Sequence, residues 1–233
     1  MMKTIFQVNH ERNCGNGQVI LVEDDPAIRS GLEQLFEAES YSVTAFASVN
    51  AFLFDETLIA SARRFPTVLI CDVMLPEGSS LESLNGRRLD FPVVFISGAS
   101  SEREVVEAYK QGAFGFLLKP MEIDELLAEV SRALTAHQRH LEQETLRQVA
   151  LQKLVRLTAR EREVLDLVCL GLSNTQIGDH LDIALRTVKL HKQHAMDKLD
   201  RPNLPELIKL IALSQPLAKL TNTSPISVFA SSI

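Results

Sequence analysis

The 233 residues suffice for one large or two ordinary domains, and a hydrophobic content of 45% is enough to form buried cores. The formal net charge of −6 argues against indiscriminate nucleic-acid binding by the whole protein, but it does not exclude a local basic face. Cys14, Cys71 and Cys169 have no C-x-x-C spacing, which indicates reduced thiols in a cytoplasmic protein rather than a disulfide framework or zinc site. With no run of 18 apolar residues and no apolar N-terminal segment, neither a membrane span nor a secretory signal is expected.

Residues 18–118 alternate between short apolar runs and helical patterns. The predicted strands are residues 18–22, 42–47, 67–71, 92–96 and 113–118. The predicted helices between them are residues 27–39, 49–62, 80–89 and 102–111. The third and fourth strands are continuous apolar runs, as is typical of strands buried on both faces. This alternation predicts an α/β fold with a doubly wound, five-stranded parallel sheet.

Carboxylates follow two of the predicted strands. Glu23 and Asp24 come directly after the first strand, and Asp72 follows the third. Because the carboxyl ends of parallel strands meet at one edge of a sheet, these side chains are expected to converge. Close carboxylates repel one another unless a cation lies among them, and Mg²⁺ favours oxygen ligands. The pattern predicts a Mg²⁺ site, with Asp24 the better candidate for direct ligation and Asp25 one position beyond the site.

The same edge of the sheet is predicted to carry a phosphorylation site. Asp72 is suited to act as a carboxylate nucleophile that forms an aspartyl phosphate. Lys119 would neutralise the phosphoryl oxygens, and Ser97 would donate its hydroxyl to them. Pro120 would fix the following loop, where a cis X-Pro bond is allowed. Each residue alone has an ordinary explanation as a loop or cap residue, but the four signals in this order favour a switch.

From about residue 18 to residue 137, the chain resembles the receiver domain of bacterial two-component response regulators. The resemblance implies that a histidine kinase transfers a phosphoryl group to Asp72. It also implies that Mg²⁺ is held by Glu23, Asp24, Asp72 and the backbone carbonyl of Met74. The expected cofactor is therefore Mg²⁺.

The resemblance also assigns switch residues, and it has departures. Ser97 and Lys119 match the positions that bind the phosphoryl group, and Phe116 matches an aromatic residue whose ring turns inward on activation. Residues 76–80 place serine where the family usually has glycine, and the following helix looks short. Residues 55–66 look a few positions long. These departures concern local geometry and kinase specificity rather than the pocket.

Residues 122–157 contain neither Gly nor Pro and are rich in helix formers. A spacing of three and four residues relates Leu127, Val130, Leu134, His137 and Leu141. One interpretation is an ordinary surface helix followed by a flexible polar linker. The other is a continuous signalling helix whose apolar seam pairs with a second copy, although Glu144 and Gln148 interrupt the seam after Leu141.

The chain beyond residue 157 is predicted to be helical as far as residue 213. Thr158 and Glu161 form a capping box that starts the first helix, which closes at Gly171. The next two helices are predicted at residues 174–181 and 185–199. The packing positions of the shorter one are Thr175, Ile177 and Leu181. Three short helices with tight turns predict a helix-turn-helix, whose second element enters the major groove.

The entering helix has a basic outer face. Its basic residues are Arg186, Lys189, His191, Lys192 and His194. No acidic residue lies between Ala184 and Met196, and a local positive charge attracts DNA phosphates even in an acidic protein. On charge alone, an ordinary solvated surface helix explains the pattern equally well.

Sequence detail favours DNA binding over that ordinary explanation. The matching segments are residues 157–163, Gly171-Leu172-Ser173-Asn174 and Arg186-Thr187-Val188-Lys189-Leu190-His191. Through them, residues 157–213 resemble the LuxR-type helix-turn-helix. The whole chain resembles the NarL/FixJ class of response regulators, in particular its FixJ-like members.

This resemblance implies a set of DNA contacts. The base-facing positions are Lys189, Leu190 and Gln193. The other DNA-binding positions are Arg186 and the phosphate-facing Asn174, Thr187 and Lys192. Ala184 stands where a serine cap is common, and loss of such a cap costs about 0.5–2 kcal/mol. Asp182 or the turn backbone is expected to compensate, and the helix from about residue 204 is expected to pair with its mate in a dimer.

We therefore predict a transcription regulator rather than an enzyme. The predicted segments are an N-terminal extension (1–17), a receiver domain (18–137), a helical linker (138–156), a DNA-binding domain (157–213) and a mobile tail (214–233). Phosphorylation of Asp72 by a sensor histidine kinase is expected to expose a dimerising face on residues 102–118 and the helix that follows. The homodimer would then bind double-stranded DNA at an inverted repeat, a role compatible with contact to RNA polymerase.

Two alternatives are weighed against this prediction. The first is a phosphorylation-independent regulator whose receiver is only a protein-interaction module, against which Asp24, Asp72, Ser97 and Lys119 argue. The second is a Mg²⁺-dependent aspartate-nucleophile phosphatase of the haloacid dehalogenase type. That class needs a second acid two residues after the nucleophile, where this chain has Met74.

Overall fold

The computed structural model describes residues 16–87, 89–98, 101–200 and 204–214. The chain divides into two compact units between Leu141 and Glu142. The predictions for the first 15 residues, Cys14 included, and for the tail beyond residue 214 lie outside the described residues. Across the described ranges, none of the helices combines the length and apolarity of a membrane span.

The first unit is built on one parallel sheet. Its strands are β1 (Gln18–Val22), β2 (Ser42–Phe46), β3 (Thr67–Asp72), β4 (Met74–Leu75), β5 (Gly78–Ser79), β6 (Val93–Ser97) and β7 (Gly115–Leu118). Five of them form the sheet, in the order β2-β1-β3-β6-β7, with every neighbouring pair parallel. The predicted five-stranded, doubly wound fold is therefore confirmed.

Helices cover both faces of this sheet. They are α1 (Pro26–Ala38), α2 (Val49–Leu53), α3 (Glu56–Ser61), α4 (Ser80–Leu84), α5 (Glu102–Lys110) and α6 (Ile123–Leu154). Val19 and Leu21 of β1 lie in the core that α1 and α6 cover, whereas Ile20 and Val22 lie in the core that α2 and α4 cover. Successive strand residues point to opposite faces, so a strand covered on both sides is apolar throughout.

The single helix predicted at residues 49–62 is two helices. The first ends at Leu53, and Phe54 follows it as the last residue of the helical turn. The carboxylate of Asp55 then accepts a hydrogen bond from the Leu58 N–H over 2.9 Å. This side-chain cap starts a new helix and interrupts the longer one.

Two further boundaries differ from the prediction. The helix predicted at residues 80–89 ends at Leu84, and Gly86 has a φ of +72°. That left-handed conformation cannot continue a right-handed helix. The last strand of the sheet begins at Gly115 rather than at residue 113.

A short antiparallel hairpin of β4 and β5 follows Asp72 and was not predicted. Pro76 and Glu77 form its two-residue turn, and Gly78 follows with a φ of +114°. Proline at the second position and glycine at the fourth are typical of a type I turn. The hairpin gives the loop after Asp72 a defined shape.

Helix α6 continues without interruption to Leu154, which agrees with a continuous helix rather than a flexible linker. Val130 and Leu134 nevertheless lie in the core of the first unit, and the Nδ1 of buried His137 accepts a hydrogen bond from the Thr67 N–H over 2.8 Å. Burial lowers the pKa of His137 to about 4, so the ring is a neutral acceptor at pH 7. The interpretation in which this seam pairs with a second copy does not hold for these three positions, because the first unit already covers them.

The second unit begins with the last turns of α6. Its other helices are α7 (Ala159–Cys169), α8 (Asn174–Leu181), α9 (Leu185–Lys198) and α10 (Leu204–Leu213). Helix α7 starts with the predicted capping box of Thr158 and Glu161. Helix α8 starts with a second capping box, formed by Ser173 and Gln176, which was not predicted. These side chains set where both helices begin.

Two apolar clusters hold the second unit together. The cluster within the helix-turn-helix consists of Val164, Val168, Ile177 and Val188. The other joins the end of α6 to α7, α9 and α10 through Ala150, Leu154, Leu165, Ala195, Leu199 and Leu210. Ile177 is buried as predicted, but Thr175 is exposed, because a residue two positions away lies on a different side of a helix. The end of α6 is thus a packed part of this unit.

Gly178 lies where α8 comes close to the turn that leads to α9. A Cβ at this position would lie 2.8 Å from the carbonyl oxygen of Ile183, whose own N–H donates to the Gly178 carbonyl over 3.0 Å. The turn therefore requires a residue without a side chain. By contrast, Gly31 in α1 has open space around its Cβ position.

We predict that Gly178→Ala destabilises the second unit by about 1–3 kcal/mol, because the added methyl group forces the turn backbone to move. Alanine's better helix propensity, about 1 kcal/mol, offsets only part of this loss. Urea unfolding of the full chain, with hydrogen exchange of the Ile183 amide, measures the effect. The matched control Gly31→Ala is expected to be neutral or stabilising, and equal destabilisation by both variants would contradict the explanation.

Candidate functional site

The ends of two neighbouring strands bring three carboxylates together. Glu23 and Asp24 follow β1, and Asp72 ends β3, which pairs with β1. One ligand atom from each residue lies within 4.8 Å of the others. Glu23 and Asp72 are buried and Asp24 is half-buried. The predicted convergence at the carboxyl edge of the sheet is therefore present.

Lys119, directly after β7, joins two of these carboxylates. Its Nζ donates to Oε2 of Glu23 and to Oδ2 of Asp72, each over 2.6 Å. The three carboxylates and one ammonium group leave two negative charges, which suits a divalent cation. The Lys119–Pro120 peptide bond is cis.

The pKa values of Glu23 and Lys119 depend on burial and on the contact between the two side chains. Burial raises the pKa of Glu23, and the hydrogen bond and charge of Lys119 lower it only in part. Burial alone would lower the pKa of Lys119, but its hydrogen bonds to Asp72 and Glu23 outweigh this, so the pKa is raised. Lys119 is therefore charged at neutral pH, and its charge opposes the effect of burial on Glu23.

Both carboxylate oxygens of Asp72 are held in place. Oδ1 accepts a hydrogen bond from the Met74 N–H over 2.9 Å, while Oδ2 accepts from Lys119. A carboxylate oriented in this way presents a fixed oxygen to an incoming electrophile. The Met74 side chain is exposed, so its backbone is the part that faces Asp72.

The other two predicted switch residues lie on β6 and β7, the last two strands in the sheet order. Ser97 is buried at the end of β6, and its carbonyl oxygen accepts a hydrogen bond from the Lys119 N–H over 2.7 Å. Phe116, on the edge strand β7, is half-buried against the core that α2 and α4 cover. Asp25 lies outside the acidic group, as predicted, and caps α1 through the N–H groups of Ala27 and Ile28.

Arg29 is a residue of this site that the sequence interpretation missed. Its Nη1 donates to the backbone carbonyls of Glu23 and Asp24 over 2.7 and 3.0 Å. The guanidinium group thus fixes the backbone of the acidic pair from the first turn of α1. The signal in the sequence was a basic residue in the first turn of the helix that follows Glu23 and Asp24.

A second candidate site is the outer surface of α9. Arg186, Lys189, Leu190 and Gln193 are exposed. Thr187 and Lys192, and Asn174 at the start of α8, are half-buried. Val188 and Ala195 form the buried side of the helix. The predicted DNA-facing residues therefore include a basic, exposed group on one helix, which is the chemistry that phosphate attraction requires.

Side-chain contacts join the three helices of the helix-turn-helix on the side away from the exposed face of α9. Nζ of Lys198 in α9 donates to both carboxylate oxygens of buried Glu161 in α7, over 2.8 and 2.7 Å. Burial alone would raise the pKa of Glu161, but hydrogen bonds from Lys198 and Thr158 outweigh this effect, so the pKa is lowered. Arg160 donates to the carbonyl of Leu181 over 2.6 Å. The first contact joins α9 to α7, and the second joins α7 to α8.

The cap of α9 lacks a side chain, as the sequence predicted. Ala184 makes no side-chain hydrogen bond, and its carbonyl accepts from the N–H groups of Thr187 and Val188 over 2.8 and 3.1 Å. Asp182 adopts the left-handed conformation that ends α8, with a φ of +50°. The turn backbone therefore takes the place of the missing serine.

Comparison with known proteins assigns both halves of the chain to described families. Residues 19–131 match the family model of the response regulator receiver domain. Residues 155–211 match the model of bacterial regulatory proteins of the luxR family. The two matches cover the acidic pocket and the helix-turn-helix respectively.

Relatives match across most of the chain. The transcriptional regulatory protein FixJ of Azorhizobium caulinodans is 32% identical over 84% of this chain and 92% of its own length. Nodulation protein W of Bradyrhizobium diazoefficiens is 33% identical over 88% of this chain and 89% of its own length. Among solved structures, the response regulator StyR is 31% identical, with a TM-score of 0.66 over 84% of this chain and 98% of that chain.

The acidic group and its neighbour Asp25 offer a matched test of cation binding. We predict that Asp24→Asn raises the Kd for Mg²⁺ about tenfold or more, because an ionic oxygen ligand is lost. Asp25→Asn removes the same charge one residue away and should leave the Kd within about twofold, since asparagine also caps helices well. NMR titration with Mg²⁺ measures both values. Equal weakening in the two variants would show that only the local charge matters.

Proposed function

The chain belongs to the response regulators that join a receiver domain to a LuxR-type DNA-binding domain, and from this premise we propose that Asp72 is its phosphoryl acceptor. Members of this family regulate transcription, and the family is not one of enzymes. The observation that carries the proposal is the Asp72 carboxylate, oriented by Met74 and Lys119 beside two further acids.

A phosphohistidine of a sensor kinase is the proposed donor. One oxygen of Asp72 attacks the phosphorus atom, the P–N bond breaks, and an acyl phosphate forms while the histidine nitrogen leaves with the electron pair. Lys119 contacts the oxygen Oδ2 and is within reach to neutralise the incoming phosphoryl oxygens. Lys119 would therefore exchange its contact with Oδ2 of Asp72 for a contact with a phosphoryl oxygen.

Mg²⁺ is the proposed cofactor, and the donor set fits it, since every candidate ligand is an oxygen. Glu23, Asp24, Asp72 and the backbone carbonyl of Met74 would hold the ion. Bound there, Mg²⁺ supplies positive charge that offsets the phosphoryl oxygens. The raised pKa of Glu23 is consistent with the proposal, because a bound cation would favour the ionised form that burial disfavours.

Phosphorylation is proposed to shift a population between two receiver states. Ser97 would turn its hydroxyl to the phosphoryl group, and Phe116 would move from its half-buried position towards the space that this opens. The surface on α5, β7 and the start of α6 carries exposed apolar side chains. They are Val106, Tyr109, Leu118 and Ile123. This surface is the proposed face for homodimer formation.

The dimer would present two copies of α9 to double-stranded DNA. Two half-sites in an inverted repeat match the two-fold symmetry of a dimer. Lys189, Leu190 and Gln193 are the proposed base-facing residues, and Asn174, Thr187 and Lys192 the proposed phosphate contacts. Pairing of α10 with its mate and contact with RNA polymerase belong to the same proposal, as does the cytoplasm as its location.

We expect Asp72→Ala to abolish activation-dependent dimer formation, because the carboxylate that binds the phosphoryl group is missing. Light scattering of the full chain, with and without Mg²⁺ and beryllofluoride, measures the molar mass. The wild type should double its mass on addition, and the control Asp25→Asn should do the same. A response of Asp72→Ala equal to that of the wild type would contradict the assignment.

We expect Lys189→Ala to weaken DNA binding about tenfold, since a good base contact contributes about 1–3 kcal/mol. A duplex selected from a random pool by the beryllofluoride-treated wild type serves as the probe, in anisotropy titrations at fixed salt. Arg64→Ala removes the same charge from an exposed position of the first unit and should leave the affinity within about twofold. Phosphorylation should be normal in both variants, and unaltered affinity in Lys189→Ala would mean that another face of α9 reads the bases.

A further inference from the structure

Glu77, at the tip of the β4–β5 hairpin, reaches a different part of the chain. Its Oε1 accepts a hydrogen bond from the Val49 N–H over 2.7 Å, and its Oε2 accepts from Nδ2 of Asn50 over 3.0 Å. Both carboxylate oxygens are therefore engaged at the start of α2. We call this arrangement, of Glu77 with Val49 and Asn50, the clasp.

The clasp satisfies a group that the short helix leaves unpaired. The first N–H groups of a helix have no partner within it, and Val49 is the first residue of α2. The side chain of Ser48 already caps the N–H of Ala51, so it does not serve Val49. Glu77 supplies the missing acceptor from a segment 28 residues further along the chain.

The base of the same hairpin holds the phosphorylation site. The N–H of Met74, in β4, donates to Oδ1 of Asp72, and the Ser80 N–H, just after β5, donates to the Val73 carbonyl over 2.9 Å. The hairpin is thus hydrogen-bonded to Asp72 at one end and to α2 at the other.

Glu77 is not itself part of the acidic group, which consists of Glu23, Asp24 and Asp72 among the described residues. It can affect the site through the hairpin or, as a charge, through space. We propose that Glu77 is a positioning residue that pre-organises the Met74 backbone for Mg²⁺ and for Asp72. This inference rests on the proposed function, since it assumes that Asp72 and its neighbours bind Mg²⁺ and take up a phosphoryl group.

Pre-organisation of the Met74 backbone predicts a change in Mg²⁺ affinity rather than in the phosphorylation rate. A carbonyl held in place by a supporting contact binds a cation more tightly, because less freedom is lost on binding. Once the cation is bound, it holds the carbonyl itself and the support matters less. Loss of the clasp should therefore weaken Mg²⁺ binding while leaving the phosphorylation rate at saturating Mg²⁺ almost unchanged.

The test uses the full chain and acetyl phosphate, with Mg²⁺ varied. We expect Glu77→Ala to raise the apparent Kd for Mg²⁺ about tenfold, as is typical when a supporting contact of a metal site is lost. The rate at saturating Mg²⁺ should stay within about twofold of the wild type by the same argument. Hydrogen exchange of the Met74 amide should become faster in this variant. Together, these results would support the proposal.

Three further variants separate the clasp from other effects. Glu77→Gln keeps an oxygen for the Val49 N–H and should restore most of the affinity. Combining Asn50→Ala with Glu77→Ala should add little to the effect of Glu77→Ala alone, because both changes break the same contact. Glu82→Ala removes an equal charge from an exposed position on α4 and should leave the Kd unchanged.

Two results would overturn the inference on its own. One is a wild-type Kd in Glu77→Ala, and the other is an equal rise in Glu82→Ala, which would reduce the effect to charge. A wild-type chain that neither binds Mg²⁺ nor takes up phosphate would instead overturn the proposed function, and the inference with it. The wild-type titration therefore distinguishes the two failures.

Discussion

Lys119 contacts Glu23 and Asp72 simultaneously, and the arrangement of the pocket depends on this double ion pair. Two buried carboxylates on neighbouring strands repel each other and lose the solvation of water, so an uncompensated pair would open the strand ends. One ammonium group compensates them only in part. The remaining negative charge is what makes the pocket receptive to a cation.

The two cores of the first unit place the elements that follow the pocket on opposite faces of the sheet. Phe116 packs on the face covered by α2 and α4, whereas α6 packs on the opposite face. Phe116 and α6 belong to one continuous stretch of chain, because β7 carries Phe116 and leads through Lys119 into α6. In the proposed switch, a change at the strand ends would reach Phe116 and α6 along one continuous stretch of chain, while the buried layers, which are closely packed, resist small distortions.

The second unit holds a basic helix in place within an acidic protein. The positive outer side of α9 has no acidic residue between Ala184 and Met196. Its other end is fixed by the ion pair of Lys198 with Glu161, which also belongs to the capping box of α7. A recognition helix that is already rigid loses little freedom when it enters the groove, so its contacts contribute to specificity.

The sequence alone determined the features that depend on neighbours along the chain. Most strand ends, the capping box of α7 and the residues Asp24, Asp72 and Lys119 could be predicted, because local chemistry and one topological rule place them. The partners of Glu77 and His137 could not, since Val49 and Thr67 are far away in sequence. Periodicity showed which residues of α6 share a face, but the pattern is the same whether that face meets a sheet or a second copy. Only the tertiary structure decided this, because burial depends on which surface is close in space.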